Sequence, residues 1–565
     1  MGPAVKECFM KKIRFRLLEN RVGRILVSLL ITLVVGFLYF YIALPAINLQ
    51  DGDFYLFLLT LCIVYLIASS WLNRGEVAKA ASPKQWVRSA LRSCLPVGIL
   101  MGAVVVVALV GWLVSLPLFR AADYRELLDV QEGDFTADIA QISFSEIPTL
   151  DRESAEYLGD RQMGMLSDMV SQFEYSNDST QINYQGRPVR VAPIDYADLF
   201  KWLANREQGL SAYVVVDMVT QEASVVRLAE GMKYSFSEPL GRNILRHLRF
   251  SYPTFLFSTP EFEIDEQGHP YWIAPRVVKT IGLFGGTDIR GAVLVDAITG
   301  DSQYYEEVPS WVDTLYTPAL IMEQYNYHGA FVNGFFNSIF GQRGVTQVTE
   351  GYNYIALNDD VYVYTGVTSA NADQSNLGFL LCNQRTKETR FYEAPGATEY
   401  AASGSAMGEV QDLGYIATFP LLLNISGEPT YFIPLKDDNN LVKLYAMVNV
   451  SQYHLVATGA TVAQCEQAYL RLLSDRGLAD GSTGERSQAQ GTVAELRSAV
   501  MEGSTYYFIR LEGEEVFYSI SAAVSPLAVL LDPGDTVRMD FLPQEGESAI
   551  LSAVSLTVLQ WGSQA

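Results

Sequence analysis

Cysteine and histidine are scarce in this chain, and the spacings that bind metals are missing. Five cysteines occur in 565 residues: Cys8, Cys62, Cys94, Cys382 and Cys465. No CxxC pair is present, which excludes a zinc ribbon and a thioredoxin-type motif. Cys382 and Cys465 sit in apolar contexts and read as small buried hydrophobes, with a bridge between them as the alternative. The four histidines, His247, His269, His328 and His454, are far apart, with no HExxH and no pair at i, i+4. Ala402–Met407 (ASGSAM) is not a GxSxG elbow. Gly282–Gly286 (GLFGG) follows no dinucleotide-binding pattern and reads as a mobile hairpin loop. The acid pairs Asp359-Asp360 and Asp437-Asp438 miss the EF-hand spacing and fall at expected strand turns, where solvated carboxylates are ordinary. No catalytic, cofactor-binding or metal residue is nominated, and the balance is against an enzyme.

Base is scarce beyond residue 120. The whole chain carries 40 Lys+Arg against 63 Asp+Glu. Residues 1–120 hold 13 bases and 5 acids, so the remainder has a net charge of −31. A part so acidic repels phosphates, which excludes nucleic acid as a partner. It is also kept off an anionic lipid surface.

Long uncharged runs, by contrast, are present three times: Ile25–Ile47, Phe54–Leu72 and Leu95–Phe119. Each has about the 20 apolar residues needed to cross a bilayer core. Seven bases (Lys6, Lys11, Lys12, Arg14, Arg16, Arg21 and Arg24) precede the first run. Five more (Arg74, Lys79, Lys84, Arg88 and Arg92) separate the second from the third. Basic loops stay cytoplasmic. The expectation is a cell-membrane protein with three spans, a cytoplasmic N-terminus, and residues 120–565 outside. No run contains an acid, base or histidine, which argues against a transporter or pump.

The expected organisation follows the chain. Residues 1–24 form a basic N-terminus, 25–119 the membrane region and 120–180 an acidic stalk. Beyond it a pattern repeats. QGRPVRVAPI (Gln185–Ile194) precedes YVVVDMVTQEASVV (Tyr213–Val226), and QGHPYWIAP (Gln267–Pro275) precedes AVLVDAITGDSQYY (Ala292–Tyr305). FLLCNQRTKETRFY (Phe379–Tyr392) lacks the opening turn, and SGEPTYFIPL (Ser426–Leu435) precedes YAMVNVSQYHLVA (Tyr445–Ala457). Asp217, Asp296, Asn383 and Asn449 hold one place in the four copies and suit a turn start, because their side chains bond nearby backbone. Four α+β modules of antiparallel sheets with short helices are expected: module 1 over 181–260, module 2 with an aromatic helix over 261–345, and modules 3 and 4 over 346–473. Asp195–Asn205 should be a helix capped by Asp195 and packed through Tyr196, Leu199, Phe200 and Leu203. Thr461–Gln464 is a capping box for a helix with apolar face Val462, Cys465, Tyr469 and Leu472. The aromatic stretch Pro318–Gly344 reads chiefly as a core helix, with a partner- or lipid-facing surface as the alternative. A polar linker over 474–490 leads to a small β-barrel over 491–565. Residues 488–565 carry 10 acids and 3 bases.

Two resemblances follow from these residues. GAVLVDAITGDSQYYE (Gly291–Glu306) resembles the closing hairpin of PepSY-type extracytoplasmic domains, repeated here in divergent form. The C-terminal piece resembles an OB-fold barrel. PepSY-type domains recur in bacterial envelope proteins and in propeptides that restrain peptidases, so the likeness implies binding rather than catalysis. The reading is a membrane-anchored, non-enzymatic binding or scaffold protein of the envelope. Its expected partner is a protein or another envelope component. The alternatives are an extracytoplasmic hydrolase with an unseen carboxylate site and a restraint on a secreted peptidase.

Overall fold

The computed structural model describes residues 20–74, 83–139, 147–357, 359–370, 375–476, 478, 487–501, 504–522, 525–541 and 550–562. The basic residues Lys6, Lys11, Lys12, Arg14, Arg16 and Lys79, and most of the expected linker, lie outside the described residues. Among the described residues, three helices are long and apolar enough to cross a membrane. They are α1 (Arg21–Ala43), α2 (Gly52–Leu72) and the Leu95–Val114 part of α3 (Pro83–Val114). The first ends four residues before the apolar run does. Leu44 turns left-handed (φ 51°), and Pro45 behind it disfavours helix at the residue it follows. The third ends at Val114, and α4 (Pro117–Arg125) restarts on Pro117.

A sheet-rich, mainly antiparallel region follows. One unit occurs four times: a helix, two short strands, then three strands in hairpin succession. The first unit is α5 (Arg152–Gly164), β2 (Phe173–Tyr175), β3 (Thr180–Tyr184), β4 (Arg187–Tyr196), β5 (Leu210–Asp217) and β6 (Ala223–Met232), with α6 (Leu199–Asn205) inserted after β4. The second is α7 (Ile244–Ser251), β7 (Leu256–Phe257), β8 (Glu261–Ile264), β9 (Pro270–Ile281), β10 (Gly285–Asp296) and β11 (Ser302–Tyr305). The third is α8 (Pro318–Ala330) with β12 (Thr346–Val348), β13 (Asn353–Leu357), β14 (Asp360–Ser369), β15 (Ser375–Asn383) and β16 (Thr389–Ala397). The fourth is α9 (Glu399–Glu409) with β17 (Ile416–Ala417), β18 (Leu421–Ile425), β19 (Glu428–Lys436), β20 (Val442–Asn449) and β21 (Val456–Gly459). Both short strands of each unit pair with its first long strand. The expected module bounds differ because the recurring turn marks the sheet and says nothing of the helix that leads into it.

The turn residues occupy one place in all four units. Asp217 Oδ1 accepts from the amides of Val219 and Thr220, Asp296 Oδ1 from Ile298 and Thr299, and Asn383 Oδ1 from Arg385 and Thr386. Asn449 Oδ1 accepts from Gln452. Four residues after the first three anchors, Gln221, Gly300 and Lys387 take positive φ. The third unit also has the opening turn it seemed to lack, with Asp359 at φ 68° between β13 and β14.

Cores are shared in pairs. The first two units bury Val214, Val216, Trp272, Val293 and Val295 together, and the last two bury Tyr364, Phe379, Phe432 and Met447 together. In β10 the alternate residues Ala292 and Leu294 enter another core with Ile273 and Val312. Burial on both faces explains why this strand reads as an unbroken apolar run rather than an alternating one.

Three expectations need correction. Residues 120–180 are no stalk, because β1 (Val130–Gly133) adds in parallel to β16, and α5 buries Ala155 and Met163 in the first core. The helix expected over 195–205 is shorter, since β4 runs on to Tyr196. Its N-cap is Asp198, and Leu199, Phe200 and Leu203 face outward. The Gly282–Gly286 loop is a hairpin tip but a pinned one. Ser115 Oγ, at the end of α3, accepts from the amides of Leu283 and Phe284, and Phe284 packs on Tyr55 of α2.

After α10 (Val462–Asp475), capped by Thr461 and buried through Cys465, Tyr469 and Leu473, comes a closed barrel. Its strands are β22 (Ser487–Met501), β23 (Ser504–Leu511), β24 (Phe517–Ser521), β25 (Thr536–Phe541) and β26 (Ile550–Gln560). They close in the order β22-β23-β24-β26-β25, with β24 and β26 parallel. The linker is correspondingly shorter than expected, because α10 ends at Asp475 and β22 starts at Ser487.

Candidate functional site

The second short strands of the units converge. β3 packs against β8 and β14, and β13 against β18. Between them lies a cavity of about 490 Å³, lined from all four units. Its walls are the start of α5, strands β3, β8 and β13, the start of α8, and Phe419 before β18.

Arg190 of β4 is the chemical centre of this cavity. Its strand neighbours Val189 and Val191 are buried, and so is the arginine itself. Nη1 donates to the carbonyl and hydroxyl oxygens of Ser179 at 3.1 and 3.2 Å, while Nε finds no hydrogen-bond partner. Among the described residues no ion pair to a carboxylate is made by Arg190. Burial pulls its pKa below the ordinary guanidinium value. Arg152, at the mouth, is by contrast bound to Glu156 Oε1 at 2.6 Å. Glu156 also accepts from Ser179 Oγ at 2.9 Å, so the acid that shares this serine with Arg190 is already engaged.

The remaining walls are polar or aromatic. Glu261 of β8 accepts from Thr180 Oγ1 at 3.2 Å, and burial pushes its carboxyl above the usual range. Tyr354 is held well up by burial, and its ring meets that of Tyr352 edge-on at 5.6 Å. Asp151 and Glu153 share the buried Lys436, at 2.9 and 2.6 Å, which offsets one of their two charges. The cavity is therefore lined by a buried guanidinium that, among the described residues, pairs with no carboxylate, by an aromatic wall and by a carboxyl whose pKa burial raises. That set suits a ligand bearing an anionic group.

Next to the cavity, Glu263 is fully buried on β8 and accepts from the amides of Asp313 and Thr314 at 2.9 and 2.8 Å. Asp313 in turn accepts from Asn183 of β3 at 2.7 Å. Both carboxyls are pushed up, first by burial and then by neighbouring carboxylates.

The residues weighed from sequence lie elsewhere. His269 faces Asp296 at 3.1 Å, His247 lies 2.9 Å from the carbonyl of Gly300, and His328 lies 3.2 Å from that of Arg125. Asp360 pairs with Arg385, and Asp437 accepts from its own turn amides. ASGSAM lies within α9. Cys382 and Cys465 are buried free thiols. Among the described residues no group of three or more His, Cys, Asp or Glu is placed to hold a metal ion. Arg190, Glu261 and Tyr354 were not singled out from sequence. The one available signal was an arginine between two valines in a strand otherwise fit for burial.

No family model matches the chain, and no curated protein matches it. A crystal structure of an ACO/RPE65 chimera in a monoclinic form aligns with 69% of this chain and 62% of its own, less than two thirds, at 9% identity. Its TM-score of 0.13 leaves the fold unassigned.

Proposed function

We propose that the chain is a membrane-anchored, extracytoplasmic binding or scaffold protein of the cell envelope, acting without catalysis, whose inter-unit cavity receives an anionic group of another envelope component. The single observation that carries this is the buried Arg190, which lines the cavity and, among the described residues, pairs with no carboxylate. A buried charge lacking an ionised partner is costly, and an incoming carboxylate or phosphate offsets that cost. Three apolar helices and basic residues clustered before α1 and after α2 support the anchor and its orientation. The turn between α1 and α2 and the end of α3 both touch the second unit, which supports seating the sheet-rich part at that end of the bundle. The PepSY-like reading of the four units and the OB-like reading of the barrel belong to the same proposal. The barrel strand order, with its third and fifth strands parallel, agrees with the latter.

The test uses the detergent-extracted full chain and thermal melting with carboxylate- and phosphate-bearing small molecules. Arg190→Met should melt at the same or a higher temperature than the parent while losing any stabilisation by anions. Equal anion responses in parent and variant would remove the cavity from the proposal. Protease added to intact cells should reach residues 120–565, and protection there with digestion in inside-out vesicles would reverse the topology.

A further inference from the structure

The aromatic stretch after α8 plays no part in the cavity. The last rings of α8 reach α4, the short helix that follows α3. Tyr327 and Phe331 stack at 5.9 Å, and Tyr124 of α4 touches them at 4.7 and 6.4 Å. The Tyr124 hydroxyl donates to the carbonyl of Ser115 at 2.7 Å. From this anchor the rings step outward through Phe335 to Phe336, at 6.2 and 5.8 Å. Beyond them Phe336, Ile339 and Phe340 are 66, 51 and 80% exposed.

These side chains do not hang on a loose loop. The carbonyl of Arg343 accepts from the amide groups of both Asn333 and Asn337 at 3.0 Å, and the Arg343 amide donates back to Asn337 Oδ1 at 3.2 Å. The segment, which includes the short π-helix Asn337–Gly341, is thus closed on itself and holds three large apolar groups outward. Its composition is also unlike the rest of the sheet-rich part. Within Ala330–Gly344 the one charged residue is Arg343, whereas the region beyond residue 120 is strongly acidic. Arg343 is exposed and, among the described residues, makes no ion pair. An apolar tip with a cation at its neck and no acid matches the acyl–headgroup boundary of a bilayer.

We propose that Phe331–Arg343 is a membrane-inserting wedge, with Phe336, Ile339 and Phe340 seated in the interfacial layer of the bilayer that α1–α3 cross. The proposal rests on reading α1–α3 as membrane spans and adds a second lipid contact. Its occupant is lipid rather than protein because the patch is continuous, ring by ring, with Tyr124 of α4, whose hydroxyl is bonded to Ser115 at the end of the third span. The wedge would fix the height and tilt of the sheet-rich part above the membrane.

The test introduces Phe340→Trp into the full chain, reconstituted in vesicles of equal phosphatidylcholine and phosphatidylglycerol carrying brominated acyl chains. The parent, measured in parallel, gives the background, which includes Trp71 and Trp112 of the spans. The expected result is a blue-shifted added emission that loses intensity more to bromine near the glycerol end than near the methyl end. A red-shifted, unquenched added signal beside normal quenching of the parent would overturn the wedge while leaving the spans in place. A blue-shifted but unquenched signal would mean that protein, a second copy included, covers the loop, and it too overturns the proposal. Absence of quenching in the parent would remove the membrane reading itself, and the wedge with it.

Discussion

Each unit closes its main hairpin on an Asp or an Asn, and the choice follows from a partner across the turn. Arg187 and His269 face Asp217 and Asp296, with the nearest atoms 3.8 and 3.1 Å apart. At the same place in the third and fourth units, Asp360 and Glu428 accept from the side-chain amides of Asn383 and Asn449, at 2.8 and 3.1 Å. The turn needs only an acceptor oxygen, so the polarity of the pair inverts while the backbone stays the same. Asn449→Asp keeps that acceptor but sets a second carboxylate against Glu428 in a buried place. It should destabilise the sheet-rich part by about 1–3 kcal/mol, with Glu428→Gln in the same chain recovering much of the loss. Asp296→Asn keeps both turn bonds, loses only the half-exposed pair with His269, and should cost less than about 1 kcal/mol. Thermal melts of the four proteins compare the two cases, and equal losses in Asn449→Asp and Asp296→Asn would contradict the inverted-pair account. Two left-handed positions that would suit glycine carry long side chains instead, and each links units. Gln221 donates to Thr149 and to Tyr445 of the fourth unit, and Lys387 meets Asp288 of the second at 2.7 Å.

At the scale of elements, the β9–β10 hairpin shows how a sheet is seated on helices. Ser115 Oγ donates to the carbonyl of Gly111 at 2.7 Å while accepting from the amides of Leu283 and Phe284 at 2.9 and 3.0 Å. Gly111 leaves the space that Leu283 and Phe284 fill, and a Cβ there would meet both. Nearby, Arg246 lies over the Tyr41 ring at 4.4 Å and Arg249 donates to the carbonyl of Leu44 at 2.9 Å, so α7 grips the end of α1. Ser115→Ala leaves two enclosed amides without an acceptor and should cost about 1–3 kcal/mol for each that water does not reach. Limited proteolysis of the reconstituted protein should then cut at 282–286, where the parent resists. Equal resistance would show that apolar contact alone holds the hairpin.

At the scale of the whole molecule, buried acids hold the first pair of units to the segment that leads into the third. Glu263 and Asp313 tie β8 to β3 and to the segment entering α8. Their raised native pKa values mean that the folded protein holds protons which the unfolded chain releases at ordinary carboxylate pH. Stability from this source is therefore present at acid pH and declines as pH rises from the ordinary value toward the native one. The melting temperature of the parent should fall between about pH 5 and about pH 8, and Glu263→Gln should make that slope shallower. Parallel slopes in the two proteins would locate the titration elsewhere. Because Glu261 and Thr314 line the cavity beside these acids, the same rise in pH should loosen the ligand site.

Length and apolarity alone determined the three long N-terminal helices, since solvation of an uncharged run needs no knowledge of the rest of the chain. Short-range chemistry likewise determined the Asp and Asn turns and the Thr461 cap, where a side chain bonds backbone within four residues. The same locality explains the errors. The Asp195–Asn205 stripe has helical spacing, but β4 takes its first residues for a sheet, which leaves Leu199 and Phe200 outside. The Pro318–Gly344 aromatics look alike in sequence, yet α8 buries Tyr325 while the loop after it exposes Phe340. Only the tertiary structure decided the cavity, because Arg190, Glu261 and Tyr354 come from three units more than 60 residues apart in sequence. Their burial exists only once the four sheets are packed together.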